Sequence, residues 1–328
     1  MLFCCKKTDS TGGRGLILPG GAVQKSAVGS LYGAICGMVY RTKGKVVDHT
    51  MKKIKIVADS SANVMTLESV DFAVAPLKVI TNETEFIDDA ALDVDGMVQW
   101  FDSYKGKSKT SCPNPADWLE AFGDAEEIFC VTITSGLSGS HNAACIAKQM
   151  YEDAHADRRV CVIDSLSAGP ELMLIIEKLE EYISQAMPFE EICQAITEYQ
   201  QQTGLVFMLE SLKNFAANGR VNPAVAKIAG VLGIRIVGRA SDQGTLEPTN
   251  KCRGEEKALT ALLNNLQKEG LSSGKVRIAH CKNKMAAQQL RHMLRQALPG
   301  VDVKIHTCRG LCSYYAERGG MLVGFERM

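Results

Sequence analysis

The stretch IFCVTITSGLSGS at residues 128–140 decides the class of fold. Its first six residues form a largely apolar run, which predicts a strand buried on both faces, as in a parallel sheet covered by helices. The TSGLSGS that follows is rich in turn-forming residues, and a helical pattern then continues to about residue 156. A buried strand, a turn and a helix in this order are typical of α/β proteins.

The same alternation fills the first half of the chain. Asn114 is placed to cap a helix that has Pro115 at its first position, and Asp117 suits the first turn of that helix. Further strands are predicted at 54–58, 73–80 and 160–163, and further helices at 94–104 and within 168–202. Apolar strands separated by helices predict a parallel sheet that is sandwiched between two helix layers.

The pattern changes near residues 203–204. Two amphipathic helices are expected near 255–268 and 284–298, among candidate strands at 205–209, 234–239, 245–249, 276–280, 301–306 and 321–325. We therefore predict an α/β protein of two domains. The N-terminal α/β domain, 51–204, has a parallel sheet flanked by helices. The C-terminal α/β domain, 205–328, has a mixed or antiparallel sheet with helices on one side.

The first fifty residues differ in composition from the rest. They hold seven Lys or Arg against two Asp or Glu, a net charge of +5, and nine of the 29 glycines. Their apolar segment at 31–40 is too short to span a bilayer. We predict that 1–50 is a disordered extension or an artefact of the assigned start site, because Met51 opens the first clear strand.

The overall composition argues against several classes of protein. Hydrophobic residues make up 46% and charged residues 23% of the chain, as in globular proteins. Lys plus Arg equals Asp plus Glu at 37 each, which argues against nucleic acid or an anionic membrane bound through bulk charge. No membrane span is expected. The twelve cysteines contain no Cys-x-x-Cys pair, so we expect reduced thiols, Cys308 and Cys312 included, and a cytoplasmic location.

Serine and threonine residues cluster where the apolar strands end. Ser60 follows the first strand, Ser138 and Gly139 lie in TSGLSGS, and Thr110 and Ser111 open a turn before a helix. Ligands of open parallel sheets bind beyond the carboxyl ends of the strands, and hydroxyls beside a helix start favour an anion. Each turn alone could be a helix cap, but their convergence on one edge of the sheet predicts a binding site.

The sequence lacks the motifs of several common enzymes. It has no Walker A sequence and no Gly-x-Gly-x-x-Gly between a strand and a helix. The segment from Gly136 to Ser140 lacks the Gly-x-Ser-x-Gly spacing of a serine hydrolase. The six histidines form no spaced metal pair. We therefore predict no catalytic residue, no metal site and no cofactor.

Five strings, taken in order, resemble the DegV family, which includes the fatty-acid-binding subunits of bacterial fatty acid kinase. They are KIKIVADSSANV at 53–64, TSCPNP at 110–115, TSGLSGSHNAA at 134–144, IDSLSAG at 163–169 and LKNFAANGRV at 212–221. The resemblance implies that one long-chain fatty acid lies between the two domains. It also implies that the carboxylate is presented to a separate fatty acid kinase catalytic subunit.

The resemblance also implies the residues that hold the head group. Thr110 and Ser138 match the hydroxyl residues of the family, and Arg220 matches its Arg, although Asn218 stands where the family has Gly. Two hydroxyls and a guanidinium are suitable partners for a partly buried carboxylate. At the C-terminus the family carries a His near the carboxylate. Tyr315 takes its place in the alignment that we prefer, and the alternative alignment uses His306.

The sequence therefore predicts a lipid-binding protein without catalysis of its own, which carries a fatty acid and offers its carboxylate to a kinase. One alternative is an enzyme or a binder of small anions or phosphometabolites that uses the same Ser/Thr-rich crevice. Another is a regulatory partner that binds no ligand.

Overall fold

The computed structural model describes residues 52–222 and 233–328. The prediction for 1–50 lies outside these residues. The described residues fall within one compact unit, Met51–Met328, and the division into two domains near 203–204 stays a prediction.

The described residues form thirteen strands and nine α-helices, several of which the sequence did not indicate. The strands are β1 (Ile54–Asp59), β2 (Asp71–Ala75), β3 (Lys78–Thr81), β4 (Glu85–Ile87), β5 (Ser108–Ser111), β6 (Glu127–Thr132), β7 (Arg159–Asp164), β8 (Thr203–Leu209), β9 (Ile234–Ala240), β10 (Leu246–Arg253), β11 (Lys275–His280), β12 (Asp302–Thr307) and β13 (Met321–Glu326). The helices are α1 (Val94–Ser103), α2 (Pro115–Phe122), α3 (Ser140–Ala154), α4 (Pro170–Ser184), α5 (Phe189–Gln200), α6 (Lys213–Ala217), α7 (Glu255–Lys268), α8 (Lys284–Ala297) and α9 (Gly310–Ala316), with a single 3₁₀ turn at Ser60–Ala62.

The first half forms a parallel sheet with strand order β2-β1-β6-β7. Every residue of β6 is buried, because α2 and α3 cover one face of the sheet while α4 and α5 cover the other. The predicted cap of α2 is present: Asn114 accepts the N–H groups of Ala116 and Asp117, and the Asp117 carboxylate accepts the N–H of Asn114. The α/β class and the helix-flanked parallel sheet are confirmed.

The prediction of a single strand at 73–80 is wrong. Pro76 interrupts it, because proline fixes φ and lacks the N–H that a sheet needs. The chain therefore leaves the parallel sheet after β2 and enters a separate antiparallel sheet, with strand order β4-β3-β5. This small sheet was not predicted from the sequence. It places Thr110 and Ser111 on β5, so the prediction that they lie in a turn is also wrong.

The second half forms a six-stranded mixed sheet with strand order β10-β9-β8-β13-β11-β12. Only β11 and β12 are parallel within it; its other neighbouring strands are antiparallel. Helices α7 and α8 cover one face, as predicted. Helix α4, which comes from the first half, covers the opposite face. Gly324 on β13 permits this contact, since a Cβ there would lie 2.5 Å from the backbone nitrogen of Glu171.

A buried ion pair fastens α4 to the mixed sheet. The Arg277 side chain on β11 is 1% exposed. Its Nε and Nη2 donate to the two carboxylate oxygens of Glu177 on α4 at 2.6 and 2.7 Å, and Nη2 also donates to Asp302 at 2.9 Å. A bidentate pair of this kind is strong and directional, and removing one partner of a buried pair is costly.

We therefore predict that Glu177→Ala lowers the free energy of unfolding by about 2–4 kcal/mol, because the buried Arg277 guanidinium loses its bidentate partner. Urea denaturation followed by circular dichroism measures the change. Glu120→Ala is the control, since Glu120 is exposed on α2 and no ion pair involves it within the described residues. Equal losses in the two variants would contradict the role of the pair.

Candidate functional site

A cavity of about 300 Å³ lies between the carboxyl end of β6 and the mixed sheet. Leu205, Phe207 and Leu209 alternate along β8 and face it, as expected from the period of two in a strand. Most of the lining is apolar. The remaining apolar lining residues are Leu77, Cys112, Ile133, Leu137, Ala168, Phe215, Ala240, Leu246, Leu311, Cys312, Ala316 and Leu322.

The polar lining contains six of the seven residues predicted for the site. They are Thr110, Ser111, Ser138, Gly139, Arg220 and Tyr315. The seventh, Ser60, is not among the lining residues. It is fully buried in the 3₁₀ turn, where its Oγ accepts the N–H of Leu77 at 3.0 Å. Ser60 therefore holds the chain just after the break at Pro76.

Thr110 and Tyr315 meet at the wall of the cavity. The two hydroxyls share a hydrogen bond of 2.8 Å, although they are 205 positions apart in the chain. The Tyr315 ring packs against Phe215, with 4.6 Å between the ring centroids. His306 is not among the lining residues: it lies in β12 and lines a different groove.

Helix α9 holds Tyr315 in this position. The carboxylate of Asp88 is 1% exposed and accepts the N–H groups of Gly310 and Leu311, each at 2.8 Å. This carboxylate satisfies two free N–H groups at the helix start. Burial raises the pKa of Asp88, against the opposing effect of these hydrogen bonds. Helix α9 was not predicted from the sequence, because its seven residues are too few to show a clear helical period.

Asn218 connects the two sides of the polar cluster. Its Oδ1 accepts the N–H of Thr110 at 3.2 Å, and its Nδ2 donates to the Tyr314 hydroxyl at 3.0 Å. Ser108 shares a further hydrogen bond of 2.7 Å with the same hydroxyl. The sequence analysis noted Asn218 only as a departure from the family glycine. The structure shows that its amide ties α6 to β5 and α9.

Arg220 lies beside the turn that precedes α3. Its Nε donates to the carbonyl oxygen of Leu137 at 3.1 Å, and its Nη1 donates to the carbonyl oxygen of Asn218. Within 52–222 and 233–328, no carboxylate lies within 4.0 Å of the guanidinium. A half-buried cation without a carboxylate partner, in a largely apolar cavity, is suited to a ligand that supplies the negative charge.

Ser138 lines the cavity and also supports the turn before α3. Its Oγ accepts the N–H of Ser140 at 3.2 Å, although the N-cap residue of α3 is Gly139, which makes no side-chain cap. A hydroxyl that accepts in this way can still donate its own hydrogen. Gly139, next in the chain, lets the turn approach β5, since a Cβ there would lie 3.3 Å from the Cys112 sulfur.

The Tyr315 hydroxyl keeps its proton at neutral pH. Burial raises its pKa, while the hydrogen bond with Thr110 and the positive charge of Arg220 act in the opposite direction, and the net shift is upward from the usual value. The cavity therefore offers hydrogen-bond donors and one cation, and none of the described residues that line it is acidic. In the part of the chain that the structure describes, no group of His, Cys, Asp or Glu could hold a metal ion. None of the described helices is long and apolar enough to cross a membrane.

These features define an α/β protein with an apolar ligand cavity between its sheets and a polar cluster in the cavity wall. The family model described as "Uncharacterised protein, DegV family" matches residues 53–327. The chain belongs to the DegV family.

Curated and solved relatives agree with this assignment. A DegV domain-containing protein of Streptococcus pneumoniae is 43% identical over 276 residues, which are 83% of this chain and 98% of that protein. A DegV family protein from Eubacterium eligens, loaded with heptadecanoic acid, shares 44% identity at a TM-score of 0.82. The Fatty Acid Kinase B3 protein of Streptococcus pneumoniae, loaded with linoleic acid, shares 42% identity at a TM-score of 0.83. Both structural matches cover 84% of this chain and all of the other.

Proposed function

We propose that this protein binds one long-chain fatty acid in the cavity, with the carboxylate at the cluster of Thr110, Ser138, Arg220 and Tyr315. The observation that carries the proposal is the pairing of a largely apolar cavity with a cation that no carboxylate neutralises among the described residues. The solved relatives loaded with heptadecanoic and linoleic acid support the same ligand class.

The tail and the head of such a ligand make different contributions. Each methylene removed from water contributes about 0.8 kcal/mol, so the leucine-rich wall supplies most of the affinity. A carboxylate in the same cavity loses its water and needs hydrogen bonds in return. On binding, the Thr110 and Tyr315 hydroxyls turn their hydrogens from each other toward the carboxylate. Together with Ser138 and the Arg220 guanidinium they meet that need with charge-assisted hydrogen bonds. The polar cluster thus fixes the orientation of the ligand.

The protein acts in this proposal as a carrier, and chemistry on the carboxylate belongs to a separate kinase catalytic subunit. Among the described residues, the cavity lining contains no histidine and no acidic residue that could serve as a general base at neutral pH. The relative named Fatty Acid Kinase B3 supports a kinase partner. We propose a cytoplasmic location for this function, in keeping with the reduced thiols expected from the sequence.

The first test is the ligand itself. We expect a long-chain fatty acid to co-purify at about one molecule per chain, measured by mass spectrometry of the organic extract from denatured protein. An empty extract, together with phosphate binding that Thr110→Val abolishes, would instead favour the small-anion alternative.

The second test concerns the hydroxyls of the polar cluster. Thr110→Val combined with Ser138→Ala should weaken fatty acid binding by about 1–3 kcal/mol for each hydroxyl, because the carboxylate loses two donors. Titration with a fluorescent fatty acid measures the loss, and acyl phosphate formation with the kinase subunit should fall with it.

Its control makes the same chemical changes elsewhere. Thr197→Val with Ser103→Ala alters exposed helical positions outside the cavity and should leave binding unchanged. Thermal unfolding of both double variants separates loss of binding from loss of the Ser138 cap. Equal affinity in the two double variants would remove Thr110 and Ser138 from the site.

The third test concerns Tyr315. Tyr315→Phe should weaken binding by about 1.5–3 kcal/mol, the range for a hydrogen bond to a charged group. Because burial raises the tyrosine pKa, affinity should change little between about pH 6 and 8, where a histidine donor would titrate. His306→Ala is the matched control and should leave affinity unchanged. Loss of binding in His306→Ala with none in Tyr315→Phe would place the head group elsewhere.

A further inference from the structure

A second concave site lies in the mixed sheet and shares no lining residue with the fatty acid cavity. It is a groove of about 550 Å³. Its charged and titratable lining residues are His280, Lys284, Arg291, His306 and Arg309, and no carboxylate belongs to its lining. We call it the basic groove.

The topology places this groove where α/β proteins bind ligands. Strand β11, helix α8 and strand β12 form a βαβ unit, the parallel pair of the mixed sheet, in which Ala279 pairs with His306 and His280 with Thr307. The groove lies at the carboxyl ends of these two strands, the edge used by ligands in open α/β sheets.

The start of α8 also faces this edge. Asn283, the N-cap residue of α8, makes no side-chain cap; its side-chain Nδ2 donates to Glu255 at 3.1 Å and to the carbonyl oxygen of Gly319 at 3.0 Å. A free helix start favours an anion.

The positive charge of the groove is largely uncompensated. Among the described residues, no carboxylate lies within 4.0 Å of the Lys284 or Arg291 cation. Asp88 approaches only Arg309, at 4.0 Å from its Nε, and the two oxygens of Asp88 already accept backbone N–H groups of α9.

Two arginines of the mixed sheet differ in this respect. Arg235 pairs with Glu210 and Glu255, and Arg239 pairs with Glu247 and Glu269. These two cations are neutralised by carboxylates, whereas Lys284 and Arg291 have no such partner among the described residues.

His280 contributes an uncharged hydrogen-bond donor to the basic groove, beside the cations. Its Nδ1 accepts the N–H of Asn283 at 3.3 Å, which leaves the hydrogen of the neutral ring on Nε2. Burial and the charge of Lys284 lower its pKa, so the ring is neutral at physiological pH. The groove can therefore offer ammonium, guanidinium and imidazole N–H groups together.

We propose that the basic groove binds a phosphate group, as a phosphate monoester or a diphosphate, in a site separate from the fatty acid cavity. Phosphate oxygens match the combination of guanidinium forks and a free helix start. The phosphate has two sources, a soluble phosphorylated metabolite or the head group of an acidic lipid, and the same residues would recognise both.

The test uses the full chain with its co-purified ligand. Pyrophosphate and inorganic phosphate are titrated by isothermal calorimetry, and binding to vesicles of phosphatidylcholine with and without phosphatidic acid is followed by flotation. Lys284→Gln with Arg291→Gln removes two cations of the groove. Lys268→Gln with Arg295→Gln removes two exposed cations that do not line it.

We expect the groove variant to raise the Kd for pyrophosphate by about tenfold or more, because each lost ionic hydrogen bond contributes on that scale. The charge-matched control should keep the Kd of the natural protein. Fatty acid content should be unchanged in both variants, which shows that the fold and the cavity are intact.

Flotation distinguishes the two sources of phosphate. Binding only to vesicles with phosphatidic acid, lost in the groove variant, would assign the phosphate to a lipid head group. Absence of saturable binding to either soluble probe and to the acidic vesicles would overturn the proposal. So would an equal loss of binding in the groove variant and its control.

Discussion

Helix α4 is the structural constraint on which the two sheets depend. The residues of its first two turns, from Pro170 to Ile176, are all buried, because the parallel sheet packs on one side and the mixed sheet on the other. Helical turns that are buried on all sides, such as these, must be covered by other elements of the fold. The loop that leads into it supplies Ala168 to the cavity wall.

Charged side chains that lie between the two sheets are shielded from water and need partners within the protein. Arg277 meets Glu177 across the interface, and the buried carboxyl of Glu171 accepts the Thr203 hydroxyl at 2.7 Å. Such groups are buried only with partners because desolvation is costly. Arg220 differs from these charged groups, because its guanidinium donates to the carbonyl oxygens of Leu137 and Asn218 and has no carboxylate partner among the described residues.

Much of the fold was predictable because the relevant signals are local. The apolar runs that form β1, β6 and β7 and the cap at Asn114 are each contained within a few residues. The small antiparallel sheet was missed because β4 and β5 are only three and four residues long and partly polar. Pro76 could have indicated the break between β2 and β3, since proline is disfavoured inside a central strand.

The candidate site was harder to predict from the sequence than the fold. The hydrogen bond between Thr110 and Tyr315 joins residues 205 positions apart, so no sequence pattern could show it. Tyr315 was included through the resemblance to the DegV family, whereas Thr110 was also indicated by the clustering of hydroxyl residues near the strand ends. Asn218 was missed as a contributor because its role depends on where α6, β5 and α9 meet.

The small antiparallel sheet has a consequence for the exchange of ligand. It is attached to α9 twice, by the Thr110–Tyr315 hydroxyl pair and by Asp88, which follows β4 and caps the helix. The sheet and the helix therefore form one mechanical unit on the wall of the cavity. Because both contacts join the same sheet to the same helix, a displacement of one carries the other with it, and the Thr110 and Tyr315 hydroxyls keep their spacing.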